Sequence, residues 1–321
     1  MGEFDLIARF FSRPVRRALL GGGDDCALLA PTPGQQLAIS SDMLVEGRHF
    51  LPTVPPFRLG HKALAVNLSD LAACGAEPLA FTLALALPRI DQPWLGEFAS
   101  GLYTLADAHS IELVGGDTTA GPLNICITVI GQVPPGSALR RDGARPGDAL
   151  WVSHPVGGGI GDARLALEVF RGLARVADGD WPSVRAAMEL PQPRVALGLA
   201  LRSIASSAID MSDGLVGDLG HLLRRSDVGA SVDVDALPAS TALQRQTLAL
   251  RRECGLAGGD DYELLFTAPA SADLAVRAAA RGAGVAVSRI GTIESLAGLR
   301  LRDAAGADAG LSPRGFDHFS A

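Results

Sequence analysis

Two stretches of the chain place adjacent acids directly after glycines and before an apolar run. The first reads GGGDDCALL, from Gly21 to Leu29, and the second reads GGDDYELLF, from Gly258 to Phe266. Adjacent carboxylates repel each other, and glycines cost backbone entropy on folding. A polar turn before a strand explains a single copy of this pattern. Because the pattern occurs twice, it also suggests that both stretches contribute residues to one functional site.

Further acids lie where apolar segments run into small residues, which is where we predict strands to end. One more acid, Asp70, lies on a predicted helix one turn after Asn67, so the two side chains share a face. A surface acid is usually found among polar neighbours, whereas these acids lie at the ends of segments that we assign to the core. The complete set comprises Asp24, Asp25, Asp42, Asp70, Asp117, Asp210 and Asp213.

Convergence of these carboxylates would require protonation or cations to relieve their repulsion. Magnesium is suited to this, because it takes one or two carboxylates per ion and completes its octahedron with water and phosphate oxygens. Ser40 and Ser41 could add oxygen ligands. The sequence therefore predicts a magnesium and phosphate site. The alternative reading is that each Asp separately caps a helix or holds a turn.

The basic residues restrict how the chain could handle phosphates. Lys62 is the single lysine among 28 basic residues, and it lies in GHKALAV rather than in a GxxxxGK[ST] loop. A P-loop and the strand lysine of protein kinases are thereby excluded. Metal ions, arginines and backbone amides remain as phosphate ligands.

A glycine-rich loop, His154–Leu167 (HPVGGGIGDARLAL), follows a predicted strand and opens a predicted helix. This arrangement is typical of an anion site at a helix N-terminus. It does not match GxGxxG, because Asp162 occupies the last position, and a tight turn would look the same. Both readings stay open.

Composition indicates a soluble globular protein of two domains. The chain has 321 residues, 48% of them hydrophobic, and a net charge of −7. No apolar run is long enough to cross a bilayer, no signal peptide is evident, and no basic run suggests nucleic acid. The four cysteines are far apart, as expected in a reducing cytoplasm.

Apolar runs alternate with helical patterns along the whole chain, which predicts α/β or α+β domains. Strands are expected at Cys26–Ala30, Leu37–Ile39 and Leu79–Leu87, and a helix at Phe57–Gly75. The polar segment RRDGARPGD suggests a boundary, with an N-terminal domain at residues 1–147 and a C-terminal domain at 148–321.

Eight motifs, in order along the chain, resemble the thiamine-monophosphate kinase family of the aminoimidazole-ribotide-synthetase-like superfamily. They are GDDCALL, AISSDMLVEGRHF, KALAVNLSDLAACGAEP, LVGGDTT, RPGDALWVS, AIDMSDGLVGDLGH, GGDDYELLF and GFDHF. The resemblance implies an N-terminal α/β domain that dimerises through its sheet, and a C-terminal α/β domain. It also implies Mg²⁺-dependent transfer of the γ-phosphate of ATP to thiamine monophosphate, in line and without a phosphoenzyme, and leaves a need for K⁺ open.

Roles follow from the resemblance position by position. It implies catalytic roles for Asp42, Asp117 and Arg141, and ATP contacts from Tyr103, Gly116, Asp117, Arg141 and Ser212. The implied magnesium ligands are Asp25, Ser40, Ser41, Asp42, Asp70, Asp117, Asp210 and Asp213. The implied substrate contacts are His49, Glu263 and Phe316, since an aromatic face and a carboxylate both favour the cationic thiazolium of thiamine.

Two departures from the family pattern stand out. Ala120 replaces the Arg that commonly follows GGDTT, and the glycine-rich stretch at Gly157–Gly161 is longer than usual. Two alternatives are kept: a sister enzyme that uses ATP on another acceptor, and a non-catalytic protein that binds thiamine phosphates or nucleotides. The intact set of metal-binding Asp residues argues against the second.

Overall fold

The structure, a computed structural model, describes residues 2–313 and Gly315. Two compact units divide the chain: Met1–Leu71 with Ala76–Gly136, and Ala72–Gly75 with Ser137–Ala321. The division after Gly136 falls earlier in the chain than the boundary predicted between residues 147 and 148. Within the described residues, no helix combines the length and hydropathy needed to cross a bilayer.

The first unit is built on a four-stranded sheet in the order β1-β4-β2-β3. Strand β4 is antiparallel to both of its neighbours, and β2 and β3 are parallel. The elements in chain order are α1 (Glu3–Leu6) with a π-helical turn (Ile7–Phe11), β1 (Gln36–Val45), α2 (Pro56–Ala73), β2 (Glu77–Leu87), α3 (Gln92–Ala108), β3 (Glu112–Ala120) and β4 (Asn124–Val133).

Helices α2 and α3 approach each other closely at two glycines. A Cβ atom added at Gly60 would collide with the backbone of Phe98, and one added at Gly101 with the backbone of Phe57. Leu64 of α2 is also fully buried. This close contact gives α2 a fixed place in the unit, and α2 carries Asn67 and Asp70.

Three sequence predictions for this unit are wrong. No strand forms at Cys26–Ala30, where Leu28 makes only an isolated bridge to Leu20. Strands β1 and β3 do not end at Asp42 and Asp117, but continue to Val45 and Ala120. Small polar residues suggested the ends of these strands, whereas continued pairing with β4 and β2 decides them.

The second unit contains a mixed six-stranded sheet in the order β10-β7-β9-β5-β8-β6. The elements in chain order are β5 (Ala149–His154), α4 (Asp162–Phe170), α5 (Trp181–Glu189), α6 (Val195–Leu201), β6 (Ser207–Asp210), α7 (Leu215–Ser226), β7 (Gly229–Asp233), α8 (Thr241–Gln244), α9 (Leu248–Ala257), β8 (Leu264–Ala268), α10 (Asp273–Gly282), β9 (Ala286–Glu294) and β10 (Gly298–Arg302).

Both faces of the second sheet are covered. Leu150 and Val152 of β5 belong to one buried cluster with the apolar residues of α7, such as Leu219. Trp151 points to the other face, because side chains alternate along a strand. Its ring stacks on Phe266 and lies under the guanidinium of Arg277 of α10. The mixed α/β character predicted for both units is confirmed.

Candidate active site

In the first unit, β1 and α2 bring together polar side chains that the sequence placed 25 to 30 residues apart. The Ser40 hydroxyl donates to Asp70 Oδ2 at 2.5 Å. The backbone N–H of Asp42 donates to Asn67 Oδ1 at 3.0 Å. Ser40 and Asp42 are two residues apart in a strand and therefore face the same way, towards α2. Two of the predicted magnesium ligands, Asp42 and Asp70, thus lie at one place.

The other predicted ligands of the first unit lie elsewhere. The Ser41 hydroxyl is bonded to Thr128 Oγ1 of β4 at 2.9 Å, on the opposite face from Ser40. Asp117 is exposed on the edge strand β3, paired with Ala84, roughly three strand spacings of about 4.8 Å from β1. Asp25 is exposed in an irregular segment. Within this unit, only part of the predicted set converges.

Gly116 next to Asp117 has a reason to be glycine. Its φ is +145°, and an added Cβ would meet the backbone of Leu83 on β2. Any larger residue would push β3 away from its neighbour. Glycine is therefore needed at this position for the close pairing of β3 with β2.

His49 lies on the loop after β1 in one defined tautomer. Its Nδ1 accepts a hydrogen bond from the Val45 N–H at 2.9 Å, so the neutral ring carries its proton on Nε2. The Lys62 ammonium donates to the His49 carbonyl at 3.3 Å and is 2% exposed. The single lysine therefore holds the loop of His49 and is not displayed to solvent.

Tyr103, a predicted ATP contact, is buried on α3 under a cation. The guanidinium carbon of Arg13 lies 3.5 Å from the ring centroid, and Arg13 pairs with Asp107 at 3.2 Å. Burial raises the pKa of Tyr103 to about 12. Its hydroxyl is among the buried polar atoms that lack a partner within the described residues, so it is a protonated, available donor.

The second unit groups three carboxylates near the start of α7. Asp210 ends β6, as predicted, and Asp213 lies on the loop that follows. Asp218, on the first turn of α7, is 3% exposed and accepts the Asp213 N–H at 3.0 Å. Burial, with the carboxylates of Asp210 and Asp213 close by, raises the pKa of Asp218 to about 8. Arg141 lies close enough to lower it in part.

Sequence reasoning missed Asp218, although a signal was present. Asp218 lies three residues after Leu215 and four before Leu222, on the apolar face of an amphipathic helix. An acid at a buried helical position is rare unless it is paired or functional. The residue therefore belongs to the candidate site.

Backbone hydrogen bonds join the loop that carries Asp213 to the GGDDYE segment. The Asp260 N–H donates to Ser212 O at 2.9 Å, and the Tyr262 N–H donates to Met211 O at 2.8 Å. Asp260 and Tyr262 both have a positive φ, of +63° and +50°. A left-handed conformation is unfavourable for a bulky residue, so neighbouring contacts hold this segment in place.

The glycine-rich loop binds a carboxylate of its own chain. Gly161, with a φ of +87°, begins α4, and its N–H donates to Asp261 Oδ1 at 2.8 Å. Complete burial raises the pKa of Asp261 well above its usual range. The N–H group that an external phosphate would need is already occupied. The reading of this loop as a structural turn is thereby favoured, and the second acid of GGDD has a structural role.

Glu263 is buried in a cluster with Arg194 and Ser153. The Arg194 Nε donates to Glu263 Oε2 at 2.7 Å, its Nη2 donates to Oε1, and the Ser153 hydroxyl donates to Oε2. Sequence reasoning missed Arg194, which is 69 residues from its partner. Phe316, the third predicted substrate contact, lies outside the described residues.

No group of three or more His, Cys, Asp or Glu side chains in residues 2–313 and Gly315 is arranged to hold a metal ion. The sites do suit a cation that needs few protein ligands. Carboxylate and hydroxyl oxygens are the donors that Mg²⁺ prefers, and one or two carboxylates per ion are enough. Burial and the nearby carboxylates of Asp210 and Asp213 both raise the pKa of Asp218, and a cation would relieve the repulsion between these carboxylates.

Comparisons with known proteins match the whole chain. The N-terminal domain family of AIR synthase related proteins matches residues 23–133, and the corresponding C-terminal domain family matches residues 145–303. A curated thiamine-monophosphate kinase of Salmonella typhimurium strain LT2 is 46% identical, over 99% of this chain and 98% of the relative.

Solved structures agree. The crystal structure of thiamine-monophosphate kinase from Stenotrophomonas maltophilia K279a superposes with a TM-score of 0.85 at 44% identity, covering 95% of this chain and 96% of that one. The structure described as AaThiL complexed with AMPPCP and TMP gives a TM-score of 0.77 at 28% identity, with coverages of 90% and 89%.

Because the backbone at Asp260 is left-handed, we expect the loss in free energy of unfolding to depend on which residue replaces it. Asp260→Asn should change the free energy of unfolding by less than about 1 kcal/mol, because Asn tolerates this conformation. Asp260→Val should lower it by roughly 1–3 kcal/mol, because a β-branched side chain does not. Urea unfolding of both variants checks this. Equal stabilities would show that the segment is not constrained as described.

Proposed function

This chain belongs to the thiamine-monophosphate kinase family of AIR synthase related proteins, and we propose that it transfers the γ-phosphate of ATP in line to thiamine monophosphate with Mg²⁺. The observation that carries the proposal is that carboxylates cluster at two places in the structure. The chain that carries these clusters is similar to thiamine-monophosphate kinases over 99% of its length. Asp42 and Asp70 meet on β1 and α2, and Asp210, Asp213 and Asp218 meet at α7.

Magnesium ions would supply positive charge that neutralises the transferred phosphate group. In the first unit Asp42, Asp70 and the Ser40 hydroxyl would hold them, and in the second unit Asp210 and Asp213 would do so. We keep Asp25, Ser41 and Asp117 in the proposed set on the family pattern.

The accepting group needs no strong general base. The second pKa of a phosphate monoester is near 6, so the acceptor oxygen is already mostly ionised at neutral pH. The residues then have to position two anions and lower their repulsion. Arg141 supplies an exposed guanidinium, and its carbonyl accepts a bond from the Ser226 hydroxyl at 2.8 Å. No side chain is proposed to become phosphorylated.

ATP contacts are proposed at Tyr103, Gly116, Asp117, Arg141 and Ser212. The Tyr103 hydroxyl is a buried donor without a partner in the described part of the chain, which suits an acceptor atom of the nucleotide. Gly116 is kept in the proposed set on the family pattern. Substrate contacts are proposed at His49 and at Phe316 on the family pattern.

We also propose that the protein is a cytoplasmic homodimer. One face of β1 exposes a row of large apolar side chains, with Leu37 at 47%, Ile39 at 65% and Met43 at 53% exposure. These residues alternate along an edge strand, so they form one stripe. A second copy of the same sheet would bury it.

The function is tested by incubating the purified protein with Mg²⁺, ATP and thiamine monophosphate, with free thiamine as a parallel acceptor. Chromatography should detect thiamine diphosphate formed from the monophosphate, and no phosphorylation of thiamine. Bound ATP without product would instead favour a sister acceptor or a binding role.

Asp42→Asn should lower kcat by 10²-fold or more, equivalent to about 3 kcal/mol or more of activation free energy. The reason is the loss of a carboxylate next to the transferred group. The fold should survive, because the bond to Asn67 uses the Asp42 backbone. Steady-state kinetics and thermal melting check both parts. Wild-type turnover at saturating Mg²⁺ would remove Asp42 from the metal site.

Asp218→Asn should stabilise the metal-free protein. With a folded pKa of about 8 against a usual value of 3.8, Asp218 makes stability fall as pH rises from about 4 to about 8. The amide mimics the protonated acid, so the variant should be several kcal/mol more stable at pH 8, at about 1.4 kcal/mol per pKa unit, and less sensitive to pH. Urea unfolding at pH 5 and pH 8 measures this.

The exposed Asp178→Asn variant is the control for Asp218→Asn. It should follow the wild-type pH dependence. If Asp218→Asn also follows that dependence, the three carboxylates do not repel one another as proposed.

A further inference from the structure

The Ser153–Arg194–Glu263 cluster joins three distant segments of the second unit. Ser153 lies on β5, Arg194 directly precedes α6, and Glu263 directly precedes β8. Ser153 is fully buried, and the side chains of Arg194 and Glu263 are 10% and 5% exposed. All three side chains are therefore at least nine-tenths buried.

The carboxylate of Glu263 accepts hydrogen bonds on both of its oxygens from neighbouring side chains. Three N–H or O–H groups donate to its two oxygens, from Arg194 Nε, Arg194 Nη2 and the Ser153 hydroxyl. Ser153 in turn accepts the Leu264 N–H at 2.8 Å, which fixes the direction of its own proton. A carboxylate engaged in this way is not available to a cationic ring of a substrate.

Arg194 keeps one terminal nitrogen for another partner. Its Nε and Nη2 form a fork with Glu263, and within the described residues Nη1 has no hydrogen-bond partner. Arg194 Nη1 is also not one of the buried side-chain atoms that lack a hydrogen-bond partner within the described residues. An atom that has no such partner and is not buried is accessible to solvent. The guanidinium is planar, so the fork fixes the direction of the Nη1–H donors.

Stability alone does not account for such a pair. Burying an ion pair costs desolvation, and apolar replacements are often as stable. In α5, Arg185 pairs with the buried Glu189 at 2.9 Å within one helix and is itself 28% exposed. The Arg194 pair differs, since it links residues far apart and borders Tyr262, which has a positive φ.

The substrate phosphate requires a donor that the single lysine does not supply. Lys62 is 2% exposed and bonded to the His49 carbonyl. Arginine is the usual alternative, because its fork matches phosphate oxygens. Arg194 is nearly buried and held in a fixed orientation by Glu263.

We propose that Arg194 donates from Nη1 to a phosphate oxygen of the accepting substrate, thiamine monophosphate, and that Glu263 is a positioning residue for Arg194. This inference rests on the proposed function and refines the role of Glu263. The charge of Arg194 is balanced by Glu263, so its contribution is a directed hydrogen bond more than a net attraction. The contact selects the phosphorylated form of the vitamin over thiamine.

The test measures binding of thiamine monophosphate and of free thiamine to the full chain by calorimetry, together with the KM for ATP. Arg194→Met should weaken binding of the monophosphate at least tenfold and leave thiamine binding and the KM for ATP unchanged. Arg194→Lys keeps the charge and loses the fork, so it should show the same selective loss to a smaller degree.

Glu263→Gln and Arg185→Met complete the set. Glu263→Gln leaves Arg194 in place but loosens it, so it should weaken monophosphate binding selectively and by less than Arg194→Met. Arg185→Met removes the ion pair between Arg185 and Glu189 and is the matched structural control; it should bind both ligands as the wild type does. If Arg194→Met does not fold, Arg194→Lys and Glu263→Gln carry the test.

Equal losses for thiamine and its monophosphate would overturn the proposal, because Arg194 would then contact the organic part of the ligand. Wild-type binding in the Arg194 variants would also overturn it, as would the same selective loss in Arg185→Met. A wild-type protein that forms no thiamine diphosphate would instead contradict the proposed function, so the two failures are distinguishable.

Discussion

Mutual repulsion between carboxylates at fixed positions is the constraint on which the candidate site depends. In the second unit, backbone hydrogen bonds from Asp260 and Tyr262 to the carbonyls of Ser212 and Met211 hold two acid-bearing loops together. Asp218 accepts the Asp213 N–H, close to Asp210. The side chains cannot separate without breaking these bonds. Their repulsion is therefore built into the folded state, and it adds to the burial that raises the pKa of Asp218.

The first unit achieves a similar concentration with different elements. An antiparallel strand supplies Ser40 and Asp42 on one face, and helix α2 supplies Asn67 and Asp70 opposite them. Close packing of α2 against α3 at glycines fixes the helix. In both units most of these acids lie on strands or helices, and hydrogen bonds hold the loop of Asp213, which suits chemistry that depends on position more than on a single reactive group.

Much of this could be predicted from the sequence, and the exceptions have physical causes. The end of β6 at Asp210 and the family relationship were predicted and are confirmed. The ends of β1 and β3 were not, because pairing with partner strands overrode the local polar residues. Asp218 was not singled out, because it lies inside a helix and not at the end of a strand, where most of the site acids were sought. Arg194 was missed because its partner is 69 residues away.

The most direct test of the central claim is a titration of the full chain with Mn²⁺, followed by electron paramagnetic resonance. The wild-type protein is compared with a variant that carries both Asp210→Asn and Asp213→Asn. If divalent cations relieve the repulsion of these carboxylates, the wild type should bind Mn²⁺ saturably, Mg²⁺ should displace it, and the variant should bind it more weakly. Identical titration curves for the two proteins would contradict the account.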